Sequence, residues 1–95
     1  MRVIHRERVR EFVEVHPDAK SSLCAWIQNV ESNSFRHFAH LREMFGSCDY
    51  VKPHTVFNIS GNKYRLIAVV SYTLGAISVE AVLSHAEYDK EKWRS

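Results

Sequence analysis

Val56-Phe57-Asn58-Ile59-Ser60-Gly61-Asn62-Lys63-Tyr64-Arg65-Leu66-Ile67-Ala68-Val69-Val70-Ser71-Tyr72 decides the fold class of this chain. From Tyr64 to Tyr72 the pattern alternates. Tyr64, Leu66, Ala68, Val70 and Tyr72 fall on one face of a strand, and Arg65, Ile67, Val69 and Ser71 on the other. Val56 and Phe57 belong to a shorter strand, and Gly61-Asn62 is a tight-turn pair that joins the two. Gly75 marks the next turn. Ile77 to Leu83 then reads as a third strand, with Ile77, Val79, Ala81 and Leu83 expected on one face.

Upstream of Gly46 the period is helical. Val9, Phe12 and Val13 form an apolar stripe, and Arg6, Glu7, Arg8, Arg10, Glu11 and Glu14 fill the other face. Pro17 stops this helix, and Asp18 is placed to N-cap the next. Leu23, Trp26, Ile27 and Val30 follow the i, i+3, i+4, i+7 rule, and Ser32-Asn33-Ser34 breaks the pattern. Phe38, Leu41 and Phe45 mark a third helix, with Gly46 at its expected C-terminal cap. Val3 and Ile4 begin a short strand. Downstream, Ser84-His85-Ala86-Glu87 has the S-x-x-E capping-box form, which predicts a short final helix with His85 in its first turn and Tyr88 one turn further in. Helices followed by strands predict an α+β fold, with N-terminal helices packed on a small, mostly antiparallel sheet.

At 95 residues, 1–95 is expected to form one domain around one core. Its 45% hydrophobic and 25% charged content is that of a folded chain. A formal charge of +2 permits a polyanionic partner without requiring one, so the placement of charge has to decide. Cys24 and Cys48 form no CxxC and no disulfide framework, which fits a reducing compartment. Met1-Arg2-Val3-Ile4-His5 turns charged at once, unlike a leader, and no apolar run approaches the roughly 20 residues that span a bilayer. The expectation is a cytoplasmic protein with no membrane partner.

No Walker A, GxGxxG, HExxH or GxSxG pattern is present. His37 and His40 lie three apart on a predicted helix, but no third ligand is spaced near them, so no metal and no cofactor are expected. Cys24 neighbours an apolar stripe and is a poor nucleophile candidate. Metal-free RNA cleavage uses the substrate's own 2'-hydroxyl as nucleophile. The protein must help remove its proton, steady the charge at phosphorus and protonate the leaving 5'-oxygen. The second half holds suitable groups: His54, Asn58, Asn62, Lys63, Arg65, His85 and Tyr88. Lys63 and Arg65 are two apart and expected on one strand face, and His85 stands where exposed helix N–H groups attract anions. A strand arginine is more often a surface group, and a helix-start histidine more often a cap. Spacing therefore does not separate function from structure.

The run His54–Ile67 and the run Leu83-Ser84-His85-Ala86-Glu87-Tyr88-Asp89-Lys90 resemble the hallmark of the HigB toxin family, which reads approximately V-F-N-I-G-G-N-K-Y-R-L and then T-H-A-E-Y-D-K. The resemblance implies a RelE-like fold, ribosome-dependent endoribonuclease action on mRNA, and a HigA-like helix-turn-helix antitoxin. Carried over by position, it implies catalytic roles for Arg65, His85, Tyr88 and His54, and RNA-binding roles for Asn58, Asn62 and Lys63. Arg65 would neutralise the scissile phosphate, His85 would lead as acid or base with His54 as its partner, and Tyr88 would orient substrate or donate a proton. Ser60 and Ser84 replace the commoner glycine and threonine, and Glu80 stands where family members often carry arginine. Two other readings use the same basic cluster: an RNA- or ribosome-binding inhibitor that does not cut, and an interaction domain that only docks an acidic antitoxin segment.

Overall fold

In the computed structural model, which describes residues 1–90 and Trp93, the period-two half of the chain builds most of a five-stranded sheet. The elements are β1 (Arg2–Ile4), α1 (Arg6–Val15), a 3-10 turn (Pro17–Ala19), α2 (Lys20–Glu31), α3 (Phe38–Met44), β2 (Asp49–Val51), β3 (His54–Ile59), β4 (Tyr64–Ser71), β5 (Ala76–Ser84) and α4 (His85–Asp89). The strand order is β1-β5-β4-β3-β2. Only β1 runs parallel to its neighbour, β5, and the other pairs are antiparallel. The structure thus has the expected α+β, RelE-like arrangement. No helix among the described residues is long and apolar enough to cross a membrane.

Helices α1, α2 and α3 cover one sheet face. Val9 of α1, Leu23, Trp26 and Val30 of α2, and Leu41 of α3 meet Phe57, Ile59, Leu66, Ala68, Ile77 and Val79 in one core. Phe57 is the joint of this packing: the rings of Trp26 and Phe45 both stand edge-on to it at 5.2 Å. Alternation sends Val56, Asn58, Arg65 and Ile67 to the other face, where Asn58 pairs with Arg65 across the strands and Val56 with Ile67. Val56 and Ile67 are nonetheless buried, because this second face is also covered.

The third strand departs from expectation. Ile67 pairs with Ala81, but Ala68 pairs with Val79, so Glu80 is an extra residue and β5 carries a bulge. Ala81 and Leu83 consequently leave the face of Ile77 and Val79 and join that of Arg65, while Val82 packs against the core. Arg8 of α1 stabilises the irregularity by donating from Nη1 to the carbonyls of Val79 at 2.9 Å and Glu80 at 3.2 Å. The Glu80 carboxylate accepts from Ser78 Oγ at 2.8 Å and lies 3.8 Å from Arg8, so the unusual negative charge has a cationic neighbour.

The turn between β3 and β4 begins one residue earlier than expected. Ser60 and Gly61 take the left-handed backbone, with φ of 54° and 68°. Glycine adopts this region freely, whereas Ser60 does so while its hydroxyl donates to Ser22 Oγ at 2.9 Å.

Asp18 does not cap α2, whose N-cap is Ala19 with no side-chain bond. Its carboxylate instead takes the Lys63 ammonium and, at 2.8 Å, the Tyr64 hydroxyl. Lys63 first, and then Tyr64, hold the Asp18 carboxyl below the usual carboxylate range. A depressed folded-state pKa adds stability above the ordinary carboxyl range, and this is lost as pH falls through the folded value. We therefore expect Asp18→Asn to be less stable than wild type at neutral pH but to lose less between roughly pH 5 and pH 3. Urea midpoints across that window check this, and identical acid limbs would refute the linkage.

Candidate functional site

The covered second face is closed at one end by α4, and the capping box places it there. Ser84 Oγ accepts from the Glu87 N–H at 3.2 Å, and Glu87 Oε1 accepts from the Ser84 N–H at 3.0 Å. The Ser84 N–H also holds the Glu87 carboxyl below its usual range. The His85 N–H donates to the Lys63 carbonyl at 3.1 Å, which ties the helix start to the beginning of β4. With α4 fixed in this way, the Tyr88 ring lies over Arg65, whose Cζ is 5.3 Å from the ring centroid.

Arg65 is only 8% exposed. Its Nη1 donates to the Tyr64 carbonyl at 3.2 Å, and no carboxylate among the described residues pairs with it. His85 is exposed on the same helix, three residues before Tyr88, with Nε2 3.4 Å from Asp89 Oδ2 one turn on. Trp93 completes the wall. Its ring stacks on Tyr88 at 5.0 Å and 13°, its Nε1 donates to the Tyr88 carbonyl at 2.9 Å, and His54 stands edge-on to it at 5.8 Å.

Asn58 and Tyr88 therefore flank Arg65 at one end of the sheet, and His85 lies one turn before Tyr88 on α4. His54 shares the face but begins β3, four residues along the strand from Asn58, or roughly 13 Å. Lys63 does not share a face with Arg65. It precedes β4 in the turn, and its ammonium points with Tyr64 to Asp18 on the helical side. Asn62 is exposed in the same turn. At the helix start the His85 N–H serves the Lys63 carbonyl and the Glu87 N–H serves Ser84 Oγ, so two of its first N–H groups are already bonded. His37 has an ordinary role, accepting the His40 N–H through Nδ1 as the N-cap of α3. Cys24 is exposed, Cys48 is buried, and both are free thiols.

Two site neighbours had escaped the sequence reading. Asp89 stands four residues after His85, a spacing that pairs side chains on any helix. Trp93 follows a polar stretch with no period, and its only signal was a large aromatic among charges.

A family model described as HigB_toxin, RelE-like toxic component of a toxin-antitoxin system, matches residues 19–91. The chain belongs to the HigB toxin family. A member of the HigB family is the toxic half of a pair, so an antitoxin is its partner. The chain is 29% identical over 92 residues to the Escherichia coli protein named mRNA interferase toxin HigB, covering 94% of this chain and 88% of that relative. It is 29% identical over 92 residues, with the same coverage, to the Shigella flexneri protein named mRNA interferase HigB. A mRNA interferase HigB from another Escherichia coli strain is 25% identical over 93 residues, covering 95% of this chain and 90% of the relative. The candidate site residues His54, Asn58, Asn62, Lys63, Arg65, His85 and Tyr88 fall inside the span matched to the HigB family, and Trp93 falls outside it.

Proposed function

We propose that this HigB-family chain is a cytoplasmic endoribonuclease that cuts mRNA on the translating ribosome without a metal ion and is silenced by a HigA-like helix-turn-helix antitoxin. One observation carries this reading: Arg65 is buried beneath Tyr88 with no carboxylate to neutralise it among the described residues. A shielded cation lacking an anion is costly until an anion arrives. An RNA phosphate supplies that anion, and the planar guanidinium can hold two of its oxygens. The relatives' names, which call them mRNA interferases, support the same substrate.

The chemistry then falls to groups around Arg65. The 2'-oxygen attacks phosphorus as the bond to the 5'-oxygen breaks. His85, steadied by Asp89, takes the 2'-hydroxyl proton, and the Tyr88 hydroxyl gives a proton to the 5'-oxygen. Arg65 supplies the charge neutralisation for which other nucleases use a metal. Asn58 lies directly across from Arg65 and lines the same path. In this assignment His54, whose ring meets Trp93, contacts the RNA next to the scissile bond. Asn62 and Lys63 meet flanking RNA at the turn, where Lys63 must first exchange its Asp18 partner. The net charge of only +2 gives little general affinity for RNA, which suits an enzyme handed its substrate by the ribosome.

Primer extension on mRNA from cells expressing the chain tests this. Discrete new 5' ends are expected, and they should vanish when the start codon of the message is removed. Growth arrest with intact message would overturn the reading in favour of an inhibitor that binds without cutting.

A further inference from the structure

Beside Arg65 lies a hollow that phosphate chemistry does not explain. Its volume is about 430 Å³, within the usual range of small-ligand sites, and it is lined by Ala81, Leu83, Glu87, Lys90 and Trp93. The β5 bulge creates its apolar floor, because the register shift brings Ala81 and Leu83 to this face. Leu83 is the direct cross-strand partner of Arg65, so the floor of the hollow lies beside that residue on the sheet. The indole wall is fixed from two sides, by the stack on Tyr88 and by the bond from Nε1 to the Tyr88 carbonyl. Glu87 and Lys90 contribute opposite charges at the rim. A phosphate would gain little there, whereas an uncharged, flat heteroaromatic ring suits both the floor and the indole.

We infer that this hollow is a nucleobase pocket, in which Trp93 stacks on the base of a nucleotide next to the scissile phosphate. The inference rests on the RNA-cleaving reading above and adds a residue and a subsite to it. Trp93 lies beyond the residues that the family model matches, so membership of the family does not supply this role. The division of labour is physical. Arg65 takes the charged backbone, which is the same for every nucleotide, and the hollow takes the base. Stacking of this kind tolerates any base, because each has a π-face.

The test is single-turnover cleavage of ribosome-bound mRNA by the full chain, comparing wild type, Trp93→Ala, Trp93→Phe and Arg65→Ala. Each protein is given intact message and messages with an abasic ribose on one side or the other of the cleaved bond. Near-ultraviolet circular dichroism confirms that each variant folds. Trp93→Ala should lower kcat/KM at least roughly tenfold, chiefly through KM, and Trp93→Phe should keep most of the activity. An abasic ribose at one of the two positions should cost the wild type a similar factor and cost Trp93→Ala nothing further. Equal abasic losses in both proteins, or wild-type kinetics for Trp93→Ala, would overturn the pocket. If Arg65→Ala is then still strongly slowed, the cleavage site stands and only the base assignment falls. If wild type does not cleave, or Arg65→Ala cleaves as wild type does, the site reading fails and the pocket with it.

Discussion

Arg65→Ala is expected to cleave ribosome-bound mRNA about 10² to 10³-fold more slowly than wild type, in line with the loss of one preorganised charge-stabilising group. The size of the effect comes from burial. Arg65 is 8% exposed and capped by the Tyr88 ring, so its field on a bound phosphate is weakly screened, and no carboxylate among the described residues pairs with it. Arg65→Lys should recover only part of the loss. An ammonium keeps the charge but cannot reproduce the two-pronged contact or the flat packing against Tyr88. The stability cost should be small by comparison. The hydrogen bond to the Tyr64 carbonyl is lost, but so is an uncompensated buried charge. Single-turnover rates, with urea midpoints as the folding control, decide the matter. A folded Arg65→Ala that cuts at the wild-type rate would remove the phosphate from this site.

What could be foreseen from the chain divides along a physical line. Features fixed by local chemistry were legible. Alternation from Tyr64 to Tyr72 gave β4, Pro17 ended α1, and the S-x-x-E pattern at Ser84 gave a capping box with both of its bonds. Features fixed by distant partners were not. Asp18 has the chemistry of an N-cap, yet its oxygens are claimed by Lys63 and Tyr64, which lie 45 and 46 residues away in sequence. The same contact draws Lys63 off the face where strict alternation puts it. The bulge at Glu80 has no signature in a period-two count, because it exists only as a mismatch between two strands and is held by Arg8 from a third element. The candidate site shows the same division. Arg65 and Tyr88 could be named from the family motifs, but their stacking depends on how α4 folds back over β4. Trp93, with no period around it, became visible only beside Tyr88 and His54.

Phe57→Ala tests the other half of the design, the packing that carries the site. The ring is 1% exposed and is gripped edge-on by Trp26 of α2 and by Phe45, which follows α3. Truncating a buried phenylalanine costs about 3–5 kcal/mol, because the cavity left behind closes only partly. Two aromatic contacts are lost with it, so the upper part of that range is expected. Domains of this kind are stable by about 5–15 kcal/mol in total, so the variant should sit near the edge of folding. Its urea midpoint should fall by roughly 2 M, given typical denaturant slopes for small proteins. Phe57→Leu fills most of the space and should lose much less. The face of the strand decides what happens to activity. Phe57 points to the helices, while its neighbour Asn58 points to Arg65. At a temperature where Phe57→Leu remains folded, its cleavage rate per folded molecule should equal that of the wild type, the reverse of the pattern for Arg65→Ala. A Phe57→Leu protein that is fully folded yet as slow as Arg65→Ala would show that the two sheet faces are mechanically coupled rather than independent.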